Sequence, residues 1–256
     1  MQNLTIGILQ FEQAWENKSQ NYEKIQQLLD SKIELDLLLL PEMFHTSFTM
    51  NTDLSEPMEK SNGIDFLKTI STKFNCAVYT SLIISENGKN YNRGVFIESC
   101  GKTTIYNKIK SFGLAGEDKV YDSGESQVIV DYKNWKINLQ ICYDLRFPEL
   151  SSNKIDIEGN PLFDIILYVA NWPEKRANHW NALLKARAIE NQAFVLSCNR
   201  VGIDFNKHTY IGDSCGIGPL GELLSKTSRD EGLILVQIEK SKLNEVRNQL
   251  PFLKDR

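Results

Sequence analysis

Three reactive side chains stand where three expected strands break off. Residues 135–141 alternate, with Ile137, Leu139 and Ile141 on every second position, which is the period of a strand. Cys142 follows at once, and Pro148-Glu149 a little later carries the signature of a first helical turn. The thiol is therefore expected at the carboxyl end of a strand, just before a helix. Peptide N–H groups in such a bend face a nearby anion and favour both a thiolate and a developing oxyanion. Glu42 closes the apolar run 37–40 after Pro41, and Lys108 closes the run 103–107. Ligands of open α/β sheets collect at the carboxyl ends of strands. Each residue has a plain alternative: buried cysteine is commonly inert filler, Glu42 suits a cap, and Lys108 suits a solvated surface. Their joint placement at strand ends is what points to chemistry.

The elements that must position them alternate along the chain. Strands are expected over 5–10, 36–40, 77–84, 94–98, 103–106, 127–131, 135–141, 164–170, 193–197, 209–217, 222–224 and 233–238, with a turn at 86–90. Helical spacing runs through 19–29 (Tyr22, Ile25, Leu28), 63–74 (Ile64, Leu67, Ile70, Phe74) and 176–191 (Trp180, Leu183, Leu184). Helices alternate with strands at both ends, while the middle is rich in strands and tight turns. That mixture suggests two sheets face to face with helices outside, rather than one doubly wound sheet. No linker, repeat or low-complexity tract interrupts the 256 residues, so one domain over 1–256 is expected.

Bulk properties exclude several function classes. Apolar residues make up 41% and charged residues 24%, as in ordinary soluble proteins, and the net charge of −4 offers no nucleic-acid surface. The start of the chain lacks the basic and apolar stretches of a signal peptide, and the run Leu37 to Leu40 is far too short to cross a bilayer. A cytoplasmic setting is expected. Five widely spaced cysteines without a C-x-x-C pair, and three scattered histidines, argue against disulfides and metal dependence. No cofactor is implied.

The chain resembles the nitrilase, or carbon–nitrogen hydrolase, superfamily. Leu-Pro-Glu-Met-Phe (40–44), Tyr-Asn-Lys (106–108) and Ile-Cys-Tyr-Asp-Leu-Arg-Phe-Pro-Glu (141–149) match its motifs in order. Ala-Asn-Trp-Pro (170–173), Ala-Arg-Ala-Ile-Glu-Asn-Gln (186–192), Cys-Asn-Arg-Val-Gly (198–202), and Gly-Asp-Ser with Gly-Pro-Leu-Gly (212–221) support the match. The resemblance implies an α/β fold, the four-layer αββα sandwich, commonly paired into homodimers. It makes Glu42 the general base and Cys142 the nucleophile of a thioester acyl-enzyme. Lys108 and the Tyr143 backbone N–H become oxyanion donors, and Glu117 a further glutamate beside the lysine. Relatives often carry His-Leu-Phe where this chain has Lys110-Ser-Phe, which touches substrate detail.

Within the superfamily the whole-chain pattern looks most like the omega-amidase branch, through 40–50 and the segment Asn171-Trp-Pro-Glu-Lys-Arg176 with Trp180. That branch hydrolyses 2-oxoglutaramate and 2-oxosuccinamate to ammonia and the 2-oxo acid. Phe44, Trp172 and Arg176 are the candidate substrate-binding residues, with Arg176 suited to the far carboxylate. A small-molecule amide is the expected partner, with neither nucleic acid nor membrane. Nitrilase or aliphatic amidase activity is the alternative, and a silent scaffold the remote one. Two decoys remain. Gly212-Asp-Ser-Cys-Gly216 matches the G-x-S-x-G elbow, but hairpin residues rather than a helix follow it. A Cys–His pairing of Cys142 would use His45, which stands beside Phe44 and is expected near the pocket, or His179, expected to be a structural or surface residue. Arg146 is expected to pair with Asp144.

Overall fold

The computed structural model describes residues 3–30, 32–225 and 229–256. One sheet joins β1 (Leu4–Gln10), β2 (Leu37–Leu39), β3 (Glu56–Pro57), β4 (Ala77–Glu86), β5 (Lys89–Ile97), β6 (Thr103–Asn107) and β14 (Gly232–Ile238). Its order is β14-β1-β2-β4-β5-β6, with β3 beside β4. The second sheet runs β13-β10-β9-β8-β7, from β7 (Ile129–Tyr132), β8 (Trp135–Ile141), β9 (Ile165–Ala170), β10 (Phe194–Asn199) and β13 (Cys215–Ile217). A small hairpin, β11 (Val201–Ile203) with β12 (Thr209–Ile211), stands apart. Each large sheet has a parallel centre, β1-β2-β4 in one and β8-β9-β10 in the other, with antiparallel edges.

Alternation along the strands builds the layers. Ile6, Ile8, Leu37, Leu39 and Tyr79 face the second sheet and join Ile137, Leu139 and Ile141 in one core. Leu9, Leu38, Leu40 and Val78 face the other way, onto Ile25 of α1 (Lys18–Leu28) and Ile64, Leu67 and Ile70 of α2 (Asn62–Phe74). Every residue of β9 is buried, because α3 (Ala177–Asn191) covers its far face with Trp180, Leu184 and Ala188. The result is the expected αββα order. Where the sheets meet, Gly94 makes room for Tyr79: a Cβ there would lie 2.9 Å from the Tyr79 hydroxyl, which donates to the Gln140 carbonyl across the interface at 3.1 Å.

Several expected boundaries shift. The turn at 86–90 contracts to Asn87-Gly88, both with positive φ, so β4 and β5 form one long two-residue hairpin. The strand expected over 209–217 is broken: β12 ends at Ile211, and Gly212 and Asp213 adopt positive φ before β13 begins. A Cβ on Gly212 would fall 2.0 Å from Gln10 Oε1, so the break needs glycine. Residues 222–224 contribute only an isolated bridge, Ile217 to Leu223. The helix expected after Cys142 is absent. Two short 3₁₀ turns, Cys142–Arg146 and Pro148–Ser151, take its place, and the next α-helix starts at Ala177. A further helix, α4 (Lys240–Gln249), escaped the periodicity because Leu243 is its only buried residue. Side chains from α4 dock it instead: Arg247 and Lys240 both pair with Asp164.

Candidate active site

The carboxyl ends of β2, β6, β8 and β9 converge on one point. Past β2 the chain turns at Met43, whose φ is 47°, and leaves Glu42 completely buried. Past β8, Cys142 itself has a φ of 45°. A non-glycine residue in the left-handed region costs about 1 kcal/mol or more; here it opens the 3₁₀ turn that presents the thiol. The first N–H groups of a helical turn have no partner inside it, which leaves those of Cys142 and Tyr143 outside the turn's own ladder.

Lys108, Glu42 and Glu117 form a closed ionic cluster with 2% or less of each side chain exposed. The Lys108 ammonium donates to Glu42 Oε1 at 2.9 Å and to both Glu117 oxygens at 2.9 Å. Asn92, on β5, bridges the two carboxylates, with Nδ2 donating to Glu42 Oε1 at 2.8 Å and to Glu117 Oε1 at 3.0 Å. The Phe112 N–H adds a bond of 2.6 Å to Glu117. Burial by itself would lower the Lys108 pKa, but Glu117 and Glu42 outweigh it and hold the ammonium well above its ordinary range. The lysine is thus permanently charged.

Asn171, just after β9, ties the carboxylate to the thiol. Its N–H donates to Glu42 Oε2 at 2.9 Å, its Nδ2 to the Glu42 carbonyl at 2.6 Å, and its carbonyl accepts from Cys142 Sγ at 4.0 Å. Burial pushes the Cys142 thiol well above the ordinary range; Glu42 pushes it further, against the pull of Lys108 and of the Asn171 contact. Burial and Glu42 thus outweigh the preference for a thiolate that the bend's amides suggest. The thiol rests protonated beside a carboxylate able to take its proton. Neither Asn92 nor Asn171 was singled out from sequence. A lone asparagine carries no spacing signal, although Asn171 lies inside the Ala-Asn-Trp-Pro segment.

Asp144 holds the nucleophile's turn. Its carboxylate accepts from the Ile141 N–H at 3.0 Å, the Lys110 N–H at 2.9 Å and the Tyr106 hydroxyl at 2.8 Å. Burial raises its pKa from 3.8 to about 6 in spite of Lys108 and these donors, so it is ionised at neutral pH. Arg146 does not pair with it. Its guanidinium lies 4.7 Å from the Trp172 ring, and Nη2 meets His179 Nδ1 at 3.2 Å on the exposed side.

Cys142 opens onto a cavity of about 930 Å³ whose walls include Phe48, Tyr143, Arg146, Trp172 and Arg176. Trp172 and Arg176 therefore line the cavity beside Cys142. Phe44 does not: it is fully buried behind the site, stacked on His45 and Phe66, while Phe48 is among the aromatics on the cavity wall. His45 is likewise sealed in the core against the Tyr22 hydroxyl at 2.9 Å. Burial lowers its pKa to about 3, so it is neutral, and it is not among the residues lining the Cys142 cavity. Lys110 adds no cation to the cavity wall; its ammonium lies 3.8 Å from Glu149. Ser214 is buried, bonded to the Asn199 carbonyl and N–H, and carries no elbow.

The carbon-nitrogen hydrolase family model matches residues 5–248. The chain belongs to that family. This hydrolase is 36% identical to the omega-amidase YafV of Yersinia enterocolitica over all of its own length and 97% of that protein. To the 2-oxoglutaramate amidase of Bacillus subtilis it is 30% identical, over 98% of its length and 96% of the relative. Among solved structures, a carbon–nitrogen hydrolase superfamily protein of Xanthomonas campestris, with an arsenic adduct in its active site, superposes with a TM-score of 0.97. That protein is 34% identical and is covered to 98%, against 100% of this chain.

Proposed function

We propose that this hydrolase is an omega-amidase that cleaves the terminal amide of a small 2-oxo dicarboxylate monoamide, 2-oxoglutaramate or 2-oxosuccinamate. The observation that carries the reading is the shared cavity: a thiol backed by a buried carboxylate–ammonium cluster, with the Arg176 guanidinium on the same wall. Glu42 takes the Cys142 proton as sulfur attacks the amide carbon. The oxyanion is met by Lys108 and the Tyr143 N–H. An ammonium has three donors; two of those on Lys108 reach Glu117, and releasing one of these two bonds frees a donor for this oxygen. The C–N bond then breaks, Glu42 returns its proton to nitrogen, and ammonia leaves a thioester. Water, deprotonated by Glu42, attacks the thioester; the 2-oxo acid departs and sulfur recovers its proton. Glu117 holds Lys108 in place, Trp172 forms the cavity wall, and Arg176 receives the far carboxylate.

The same resemblance supports one hydrolase unit over 1–256 working as a homodimer in the cytoplasm, with small amides as its partners. No helix among the described residues is long and apolar enough to cross a membrane. Ammonia release from 2-oxoglutaramate, 2-oxosuccinamate and neutral amides of matching length tests the reading. The 2-oxo acid amides should be preferred, EDTA should change nothing, and Cys142→Ala should abolish turnover. Arg176→Ala should cut kcat/KM for 2-oxoglutaramate by about 10- to 150-fold more than for a neutral amide, the value of a charge-assisted contact. A preference for neutral amides in the native protein refutes the substrate assignment.

A further inference from the structure

Arg146 is the second guanidinium on the wall of the catalytic cavity, and its setting differs from that of a structural arginine. It leaves the same 3₁₀ turn that opens with Cys142, four residues on. Its guanidinium lies 4.7 Å from the ring of Trp172, while that of Arg176 lies 5.2 Å from the ring of Phe112, and all four residues line the cavity. Aromatic faces support a planar cation without neutralising it. Among the described residues neither arginine takes part in an ion pair with Asp or Glu; the near partner of Arg146 is the His179 ring. The two carboxylates on the same wall are otherwise engaged, Glu16 by Thr49 and Asn51, and Asp204 by Tyr210 and His208. Burial, and after it the charge of Arg176, holds the Arg146 pKa below its ordinary range.

Two half-buried guanidiniums of like charge on one cavity wall, each over an aromatic face and neither paired with a carboxylate among the described residues, suit one anion held between them. We infer that Arg146 and Arg176 together form a two-armed carboxylate clamp, with Arg146 the arm that fixes the distance from the reacting carbon. This rests on the omega-amidase reading and deepens it. Arg146 shares a rigid turn with the nucleophile, anchored by Asp144 to β8 and to the segment after β6. Arg176 sits in a separate turn, Glu174–Arg176, pinned through its carbonyl to Trp172 Nε1 at 2.8 Å. A carboxylate seated between them is held from two elements at once. Its amide end is then metered along the chain toward Sγ.

The test compares Arg146→Met and Arg146→Lys with the native protein, using 2-oxoglutaramate and a neutral amide of equal length. Arg146→Met should lower kcat/KM for 2-oxoglutaramate by about 10- to 150-fold more than for the neutral amide. Arg146→Lys should recover part of that preference, because it restores charge without the planar fork. A double-mutant cycle with Arg176→Ala should be non-additive on 2-oxoglutaramate and close to additive on the neutral amide, since only the anion couples the two arms. Equal losses on both substrates, or Lys no better than Met, would make Arg146 a mere support for Trp172 and overturn the clamp. The amidase reading would survive that result, because the native preference for 2-oxoglutaramate is measured in the same panel. If the native protein showed no such preference, clamp and substrate assignment would fall together.

Discussion

Replacing Lys108 by Met removes the only cation from the buried cluster and leaves Glu42 and Glu117 facing one another across the Asn92 amide. The charge of the trio goes from −1 to −2 in a site where no member is more than 2% exposed. Removing one partner of a buried ion pair costs about 3–5 kcal/mol, most of it the penalty of the charge left behind. In a chain of this size 1 kcal/mol moves the melting temperature by about 2–4 °C, so Lys108→Met should melt roughly 6–20 °C lower at neutral pH. Turnover should fall by more than about 10³-fold: an oxyanion donor is worth ~10²–10³ and a positioned base ~10²–10⁴, and Lys108 serves both ends. The double variant Lys108→Met/Glu117→Gln separates the two effects. It has one buried charge fewer and should regain a large part of the melting temperature while regaining no turnover. Differential scanning calorimetry and ammonia release on the same three proteins decide the matter. A Lys108→Met protein as stable as the native one, or retaining a tenth of its rate, would refute the account. So would a double variant no more stable than the single.

Two further outcomes concern titration. The absorbance of thiolate assignable to Cys142, native protein minus Cys142→Ala, should be absent at pH 8, and in Glu42→Gln its onset should move to lower pH because a raising charge has gone; a thiolate already present at pH 7 would contradict this. Asp144 ionises at about 6 in the folded protein against an ordinary 3.8, so kcat/KM should decline as pH falls through about 6, when protonation takes one of its oxygens from the three donors that hold the turn under Cys142. The same raised value means that its contribution to stability weakens, rather than grows, as pH climbs from 3.8 to about 6, so the rate and the melting temperature should respond to that carboxyl with opposite sign. Asp144→Asn should be slow at every pH and lack this limb; an unchanged limb would assign it to another group.

The reactive core of the site was legible along the chain. The leucine run 37–40, the run ending at Tyr106, and the alternation of Ile137, Leu139 and Ile141 each mark a strand, and the breaks that follow carry Glu42, Lys108 and Cys142. The turn residues Asn87-Gly88 announced the β4–β5 hairpin in the same way. Apolar alternation and turn chemistry are properties of neighbours in sequence, which is why strands and the residues at their ends could be read directly.

Distance in space is not such a property. That Asn92 and Asn171 would hold Glu42, that Phe48 rather than Phe44 would face the cavity, and that Arg146 would turn from Asp144 toward Trp172 all depend on which strand ends meet. α4 shows the same limit in the fold, since a helix held by Arg247 and Lys240 on Asp164 leaves almost no apolar period to read. The protonation of Cys142 belongs with these. Along the chain, a lysine and a turn's amides favoured a thiolate. The folded chain buries the sulfur beside a carboxylate, and burial disfavours the charged form more than a shared lysine restores it.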